Sequence, residues 1–366
     1  MNHRPSASCK QNAVVEASSP MQQESHSMTL SSPPNEQKPA SSYVIGADIG
    51  GTSLRLALAN NSGEILVRWS TSTRDTADAG TVLQLVRAGV NALLREASLP
   101  PESLSAIAAG APGVTDVDEG VVIATSYLMG WRNVPLRQML EAEFGVPAFV
   151  DNDVNLAAIG EQRAGLAQGA TDFVFLAIGT GMGAGVVINE QVHRGNLWTA
   201  GEIGYMLVPG ASDAPVERGE PGPLEAIVGG EGIQAHWQSL WNPGSAALPI
   251  NATAIAILDH ASEYDSPARE VLRLAARTLA YAIYNTSLIL NSPLFVLGGS
   301  VGIHPALADA TRQALQALGA RVRPKVICSA LGTDAQLIGA IFMAMQMATR
   351  KESSLEAALP LAQSTS

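Results

Sequence analysis

The sequence predicts an α/β chain of two similarly built lobes, and three observations carry that prediction. A strand, a Gly/Thr turn and a second strand occur twice, at 43–60 and at 172–189, a weak internal repeat. Strand-like apolar runs alternate with segments of helical spacing through both halves, as layered α/β folds require. The length of 366 residues suits two domains of ordinary size, and the 46% of hydrophobic residues suffices for their cores.

Residues 1–42 stand apart. They are rich in Ser, Pro and Gln and show no sustained periodicity, so they are expected to form a disordered tail that buries too little apolar surface to order itself. An apolar h-region is missing, which argues against a secretory signal. Regular pattern begins at Tyr43, with strands over 43–49 and 53–60 and a short third strand carrying Ile65, Val67 and Trp69. Segment 80–97 places Val82, Leu83, Val86, Val90, Leu93 and Leu94 at helical spacing. Strands are expected at Ser105–Gly110 and at Phe149–Val150, with a helix near 135–144 between them. Pro147 precedes the second of these strands, where its missing N–H does no harm.

In the second half, strands over Asp172–Ile178 and Gly183–Asn189 flank Gly179-Thr180-Gly181-Met182. Ser266-Pro267 opens a helix to Leu290, with Ser as N-cap and Pro at the first helical position. A strand over Pro293–Leu297 ends in Gly298-Gly299-Ser300. It is followed by a helix over 305–318, a strand over 325–331, and a last amphipathic helix over 334–350 capped by Thr333. The run Met343-Ala-Met345-Gln-Met347 is expected to pack on the first lobe, and 351–366 to fray.

Charge and cysteine content narrow the function. A net charge of −11 and an isoelectric point near 5.0 argue against nucleic acid or an anionic membrane as the main partner. No apolar run reaches the ~18 residues of a membrane span. Cys9 and Cys328 are the only cysteines, which excludes a disulfide framework and fits a reducing cytoplasm, the expected location.

The chemistry begins at Asp48-Ile49-Gly50-Gly51-Thr52. Glycines tolerate positive φ and let backbone amides approach a phosphate, while Asp48 and Thr52 supply oxygen ligands for its Mg²⁺. An ordinary Gly-Gly hairpin fits the same residues. Two further turns, Gly179-Thr180-Gly181 and Gly298-Gly299-Ser300, follow strands at roughly even separation, where α/β sheets place ligands. Together the three suit a two-lobed nucleotide clamp, and no P-loop sequence is present. After the strand ending at Val150 comes Asp151-Asn152-Asp153-Val154-Asn155. Its carboxylate suits proton abstraction from an attacking hydroxyl. Taken by itself the segment reads first as a helix N-cap, and it can serve both ends: Asp151 or Asn152 as cap, Asp153 in the cleft.

These motifs are similar to those of the ROK family of sugar kinases and sugar-responsive repressors, over nearly all of 44–346. The resemblance rests on Asp48-Ile-Gly-Gly-Thr52, Gly110-Ala-Pro-Gly113, Gly130-Trp131, Asn152-Asp153, Gly179-Thr-Gly-Met-Gly183, Gly201-Glu-Ile-Gly204, Leu224-Glu225-Ala226 and Leu297-Gly-Gly-Ser300. It implies an actin-like ATPase (ribonuclease H-like) fold with a cleft between lobes. The small lobe would span 43–152 and the large lobe 153–333, with the final helix returning to the first. It further implies ATP with Mg²⁺, transfer of the γ-phosphoryl group to a hexose hydroxyl (the 6-hydroxyl of glucose first) and a homodimer. By position, Asp153 is then the general base, and Asn152, Glu202, Glu225, Tyr205 and Gly113 belong to the sugar site. Asp48, Gly50, Gly51, Thr52, Gly179, Thr180, Gly181, Gly298 and Gly299 belong to the nucleotide site. Alternatives are another hexose (N-acetylglucosamine, N-acetylmannosamine, mannose or fructose) or a non-catalytic sugar-binding protein. A repressor would need a winged helix-turn-helix, and residues 1–42 lack its helices and basic face.

The chain departs from this pattern in three places. The family's zinc ligands, one histidine and three cysteines, fall on Tyr205, Val216, Arg218 and Pro223, so no structural zinc is expected. Tyr205 then either offers its phenol to the sugar or packs. Ser126-Tyr127-Leu128 stands where such kinases usually carry Pro-Asn-Leu, and Ser53 where many have Lys. Arg55 is the candidate replacement for that charge. His193, His236, Glu161 and Cys328 are read as structural or surface residues.

Overall fold

The computed structural model describes residues 42–358, except 75, 77, 126, 127, 129, 218, 219, 245–247, 264–266 and 320. Much of the expected tail, and Tyr127, therefore lie outside the described residues. Three strands open the chain: β1 (Tyr43–Ile49), β2 (Ser53–Asn60) and β3 (Ile65–Ser72). They form an antiparallel meander, and β3 alternates half-buried and exposed residues as an edge strand should. Helix α1 (Ala79–Glu96) is capped by Asp78, whose side chain accepts the Thr81 amide at 2.8 Å. Its apolar stripe packs on β2 and β3 at Gly89, where a Cβ would come within 2.5 Å of Leu56 and Trp69. β4 (Leu104–Ala111) follows.

Strands β5 (Val114–Asp116), β6 (Val121–Ala124) and β7 (Arg132–Val134) then form a separate small antiparallel sheet. Helix α2 (Leu136–Phe144) leads to β8 (Ala148–Asn152), and α3 (Asp153–Ala164) completes the first half. The second half repeats the meander in β9 (Phe173–Ile178), β10 (Met182–Ile188) and β11 (Gln191–Val192). Helices α4 (Glu225–Val228), α5 (Gly230–Leu240), α6 (Ala254–Glu263) and α7 (Pro267–Leu290) come next. The chain then runs through β12 (Leu294–Gly298), α8 (Gly299–Gly302), α9 (Pro305–Ala317), β13 (Lys325–Cys328) and α10 (Ala335–Ala358). The final helix thus extends past the expected end at 350, and Thr333 sits in a 3₁₀ turn (Gly332–Asp334) ahead of it instead of capping it.

The repeat glimpsed in the sequence is a full topological duplication. The first sheet has strand order β3-β2-β1-β4-β8 and the second β11-β10-β9-β12-β13. In both, the first three strands are antiparallel and the last two join in parallel. Two helices, α3 and α10, lie between the sheets and touch along their backbones. A Cβ on Gly160 would sit 2.1 Å from Ala335 O, and one on Gly339 only 1.8 Å from Leu156 O, so glycine is the residue that permits this approach. Alanines at 57, 59, 106, 108, 340 and 344 line the same layer and keep helix and sheet close. The outer faces carry larger cores, with α1 and α2 on the first sheet and α5, α6, α7 and α9 on the second. Met343, Met345 and Met347 join the layer against the first sheet, as their spacing suggested. Among the described residues no helix is long and apolar enough to cross a membrane.

Candidate active site

Three parallel strands of the first sheet end in one row. Asp48 on β1 pairs with Gly110 on β4, and Gly110 with Asp151 on β8. The turn at 50–52, the segment Gly110–Gly113 and the start of α3 therefore leave the same edge. In the second sheet β9 ends at Ile178 beside the end of β12, with Gly298 opposite Ala177. The turns at 179–181 and 298–300 thus emerge side by side at strand C-termini.

At the head of α3 the N-cap reading holds, and the cap is Asn152: its Oδ1 accepts the amides of Val154 at 2.8 Å and Asn155 at 3.2 Å. Its Nδ2 donates to Gly113 O at 2.8 Å, leaving one amide hydrogen for a ligand. Gly113 has φ +96°, and a Cβ there would lie 2.2 Å from Ala124 O, so the position demands glycine. Asp153 is the first helical residue, with Oδ1 accepting the Val154 amide at 2.9 Å. Gly110 makes room for it, since a Cβ there would stand 3.3 Å from Asp153 Cα. A helix N-terminus normally favours an ionised carboxylate. Here burial, then the negative charges of Asp48 and Glu202, outweigh the opposing amides and push the Asp153 carboxyl from 3.8 up to about 7.

Asp48 is also buried, which raises its carboxyl against the pull of Arg55. Arg55 lies opposite Asp48 in the β1–β2 register and donates to Asp48 Oδ2 from Nε at 2.9 Å and Nη2 at 2.5 Å. Its Nη2 also reaches Gln336 Oε1 at 3.0 Å. The guanidinium is thus engaged on the Asp48 carboxylate, while Ser53 is exposed. Gly50 does not use the positive φ that a glycine tolerates. The turn closes through its amide to Ser53 O at 2.8 Å, and Thr73 Oγ1 binds Gly50 O at 2.6 Å. It is a hairpin turn in geometry, with Gly50, Gly51 and Thr52 at its tip.

On the facing lobe, Glu202 and Glu225 are both raised by burial, and Glu225's charge adds to the effect on Glu202. Glu225 Oε2 accepts the Met182 amide at 2.7 Å. Gly201 has φ +97° and would place a Cβ 2.0 Å from Ala184 O, so the loop presenting Glu202 is pressed onto β10. Tyr205 is 49% exposed and its phenol is pushed up by partial burial and by the charges of Glu202 and Glu225. The electrostatic chain Asp48–Asp153–Glu202–Glu225 links the predicted acidic residues of both lobes.

The turn at 179–181 closes through Gly179 N to Gly181 O at 3.0 Å and docks on α5, with Gly230 N bonding Gly179 O at 2.8 Å and Glu231 N bonding Thr180 O at 3.2 Å. A Cβ on Gly179 would meet nothing within 4 Å. Gly298 and Gly299 have a packing reason too. A Cβ on Gly298 would strike the Phe175 ring at 2.1 Å, and Gly299, at φ +76°, would strike Ile178 O at 2.4 Å. Residues Gly229-Gly230-Glu231 beside this turn went unnoticed in the sequence, although their glycine cluster was a usable signal. Also unforeseen was Arg194, whose Nε and Nη2 reach Asp151 Oδ2 at 3.0 and 2.5 Å. Glu161 is buried, accepting the Leu166 amide at 3.0 Å and bonding Ser329, which makes it structural. At the zinc-ligand positions, Val216 is exposed and Pro223 buried, while Arg218 lies outside the described residues.

Comparison with known proteins agrees with this fold. The model described as "ROK family" matches residues 44–347. A glucokinase of Halalkalibacterium halodurans is 30% identical over 332 residues, covering 86% of this chain and 97% of that protein. A putative xylose repressor of a Caldicellulosiruptor species is 27% identical over 261 residues, covering 70% of this chain and 65% of that protein. The ROK family glucokinase of Streptomyces griseus, solved with glucose and AMPPNP, superposes with a TM-score of 0.71 at 26% identity, over 83% of this chain and 99% of that one.

Proposed function

This chain belongs to the ROK family, and from that premise we propose that it transfers the γ-phosphoryl group of ATP to a hexose hydroxyl, the 6-hydroxyl of glucose first. Asp153 is the general base. The observation that carries the reading is the Asp153 carboxyl itself, held near pH 7 at a helix start, between a glycine-turn lobe and two further carboxylates. A base with that value is half ionised at neutral pH and accepts the hydroxyl proton as the oxygen attacks, a contribution of about 10²–10⁴-fold.

Phosphoryl transfer needs positioning and charge neutralisation more than covalent help. The turns at 50–52, 179–181 and 298–299 are the parts that take the phosphates, and Gly179, where a Cβ would meet nothing within 4 Å, leaves open space for them. Asp48, buried beside the turn with its carboxyl raised by that burial, and the exposed hydroxyl of Thr52 are oxygen donors of the kind that would suit the magnesium ion of a nucleotide. That ion supplies neutralisation of the transferring charge. Glu202 and Glu225 accept sugar hydroxyl protons, and the remaining amide hydrogen of Asn152 and the phenol of Tyr205 complete the sugar contacts. Complexes of the S. griseus relative with glucose and AMPPNP support the choice of both substrates.

The deciding experiment is a coupled ADP-release assay across glucose, mannose, fructose and N-acetylated hexosamines. Release with glucose above all others is expected; release with none of them sinks the kinase reading. A second reading, a sugar-binding protein without turnover, is favoured by the repressor relative and by Tyr205 in place of the family's histidine. Calorimetric sugar binding with no ADP release would select it.

A further inference from the structure

We propose that Asp151 and Arg194 form a clamp across the two lobes that holds the Glu202 loop against the Asp153 turn, making both of them positioning residues for the hexose site. The inference rests on the sugar-kinase reading above and adds to it two residues that touch no substrate.

Asp151 is fully buried and both its oxygens are occupied. Oδ2 accepts Arg194 Nε at 3.0 Å and Nη2 at 2.5 Å, while Oδ1 accepts the Asn152 amide at 2.7 Å and Asn155 Nδ2 at 3.0 Å. No lone pair faces a ligand, so a direct catalytic part is excluded for it. Arg194 Nη1 is spent on Val192 O at 3.2 Å. The two residues come from different sheets: Asp151 ends β8 of the first, and Arg194 follows β11 of the second.

What each partner carries gives the pair its purpose. Asp151 lies two positions before Asp153. Arg194 starts the loop that delivers Glu202, and that loop is tied by its own backbone: Ala200 N bonds Arg194 O at 3.1 Å and Glu202 N bonds Thr199 O at 3.2 Å. Moving Arg194 therefore moves Glu202. Asp153 and Glu202 repel, since the charge of Glu202 raises the Asp153 carboxyl. Around them stand two more acids, Asp48 and Glu225, and one cation, Arg55, which is bound to Asp48. Like charges brought together need an attractive contact at the same boundary, and Arg194 on Asp151 supplies it. Side-chain and backbone ties on the other flank, from Asn152 to Gly113 O at 2.8 Å, fix only the first lobe.

A buried ion pair with a merely structural part predicts loss of stability and unaltered kinetics; the clamp predicts a kinetic effect confined to the sugar. Arg194→Leu, Arg194→Lys and Asp151→Asn are compared in the full chain by KM for glucose and ATP, kcat, and thermal midpoint. Misplacing Glu202 by about an ångström lowers kcat/KM for glucose on the order of a hundredfold in Arg194→Leu, with the KM for ATP held within about twofold. Arg194→Lys keeps the charge but not the fork and falls between parent and Leu. Glucose kcat/KM within about twofold of the parent, in protein folded at the assay temperature, overturns the clamp. Where Arg194→Leu does not fold, Arg194→Lys decides by the same criterion. Should the parent turn over no sugar, the kinase reading falls on its own. The clamp is then judged by amide exchange across 194–204, which must quicken in Arg194→Lys and which, unchanged, refutes it.

Discussion

Asp153→Asn removes a carboxyl that folding carries from 3.8 up to about 7, and this makes a joint forecast for stability and activity. The free-energy gap between those two values is on the order of 4 kcal/mol. The sign follows from proton uptake. Below pH ~4 both folded and unfolded chains hold the proton, and nothing is lost. Between ~4 and ~7 the unfolded chain releases it while the folded chain keeps it, so the parent weakens steadily as pH rises. Above ~7 the folded chain carries the buried charge at full cost. Asparagine has no charge to bury and keeps an oxygen for the Val154 amide. The variant should match the parent near pH 4 and exceed it at pH 8 by roughly 1–4 kcal/mol, the upper figure applying only without relaxation of the site. Denaturant midpoints measured at pH 4.5, 6 and 8 in both proteins read this directly. In the same samples ADP release should fall by about 10²–10⁴-fold while calorimetric glucose binding persists. A variant less stable than the parent at pH 8, or a difference that ignores pH, refutes the account of a strained buried base. Undiminished turnover refutes its catalytic role.

Other expectations concern the parts around that base. The kcat/KM for sugar should climb about tenfold per pH unit below ~7 and level off above it; a profile flat from pH 5 to 8 would assign the base elsewhere. Arg55→Ala strips the cation from buried Asp48, which should cost about 1–3 kcal/mol and raise the KM for ATP more than that for sugar. Equal KM values in mutant and parent would detach Arg55 from the nucleotide site. Gly339→Ala drives a methyl to 1.8 Å from Leu156 O and should destabilise by about 3 kcal/mol or more. Gly179→Ala meets no atom within 4 Å, so its thermal midpoint should stay close to the parent's while its KM for ATP rises. Similar midpoints for the two alanine variants would contradict the packing described.

Local pattern made much of the fold legible. Strands β1, β2, β4, β9, β10 and β12 are short apolar runs ended by glycine turns or, for β10, by Asn189-Glu190, and α1 and α7 carry long amphipathic periods, signals that need no tertiary partner. The small sheet β5–β7 escaped because its strands have three or four residues each, too few to display a period. Helices α4 and α5 went unread because Gly229, Gly230 and Gly232 interrupt their pattern; those glycines are there for backbone approaches to Glu225, Thr180 and Gly179. At the site, Asp48, Asp153, Glu202 and Glu225 were found by their motifs, yet their mutual repulsion was not. That depends on strand register and lobe contact. Arg194 illustrates the limit: it sits 43 positions from Asp151, and nothing local distinguishes it from a surface arginine.

The pair α3 and α10 has a consequence for how the chain can be assembled. Helix α3 is covalently the continuation of the first sheet, yet it lies on β10 of the second, where Gly183 and Gly185 make room for Val154 and Ala158. Helix α10 continues the second sheet and covers β1 and β4 of the first. Each half thus lends the other the helix that closes its inner face. A gene split after residue 164, at the end of α3, would part each sheet from the helix that covers it and leave both fragments with bare inner faces, each aggregation-prone alone and soluble only when produced together. The first sheet cannot close until α10 (residues 335–358) has been made, a delay set by these long-range contacts. Through the same exchange α10 packs along α3, so the C-terminal helix lies against the helix that starts at Asp153.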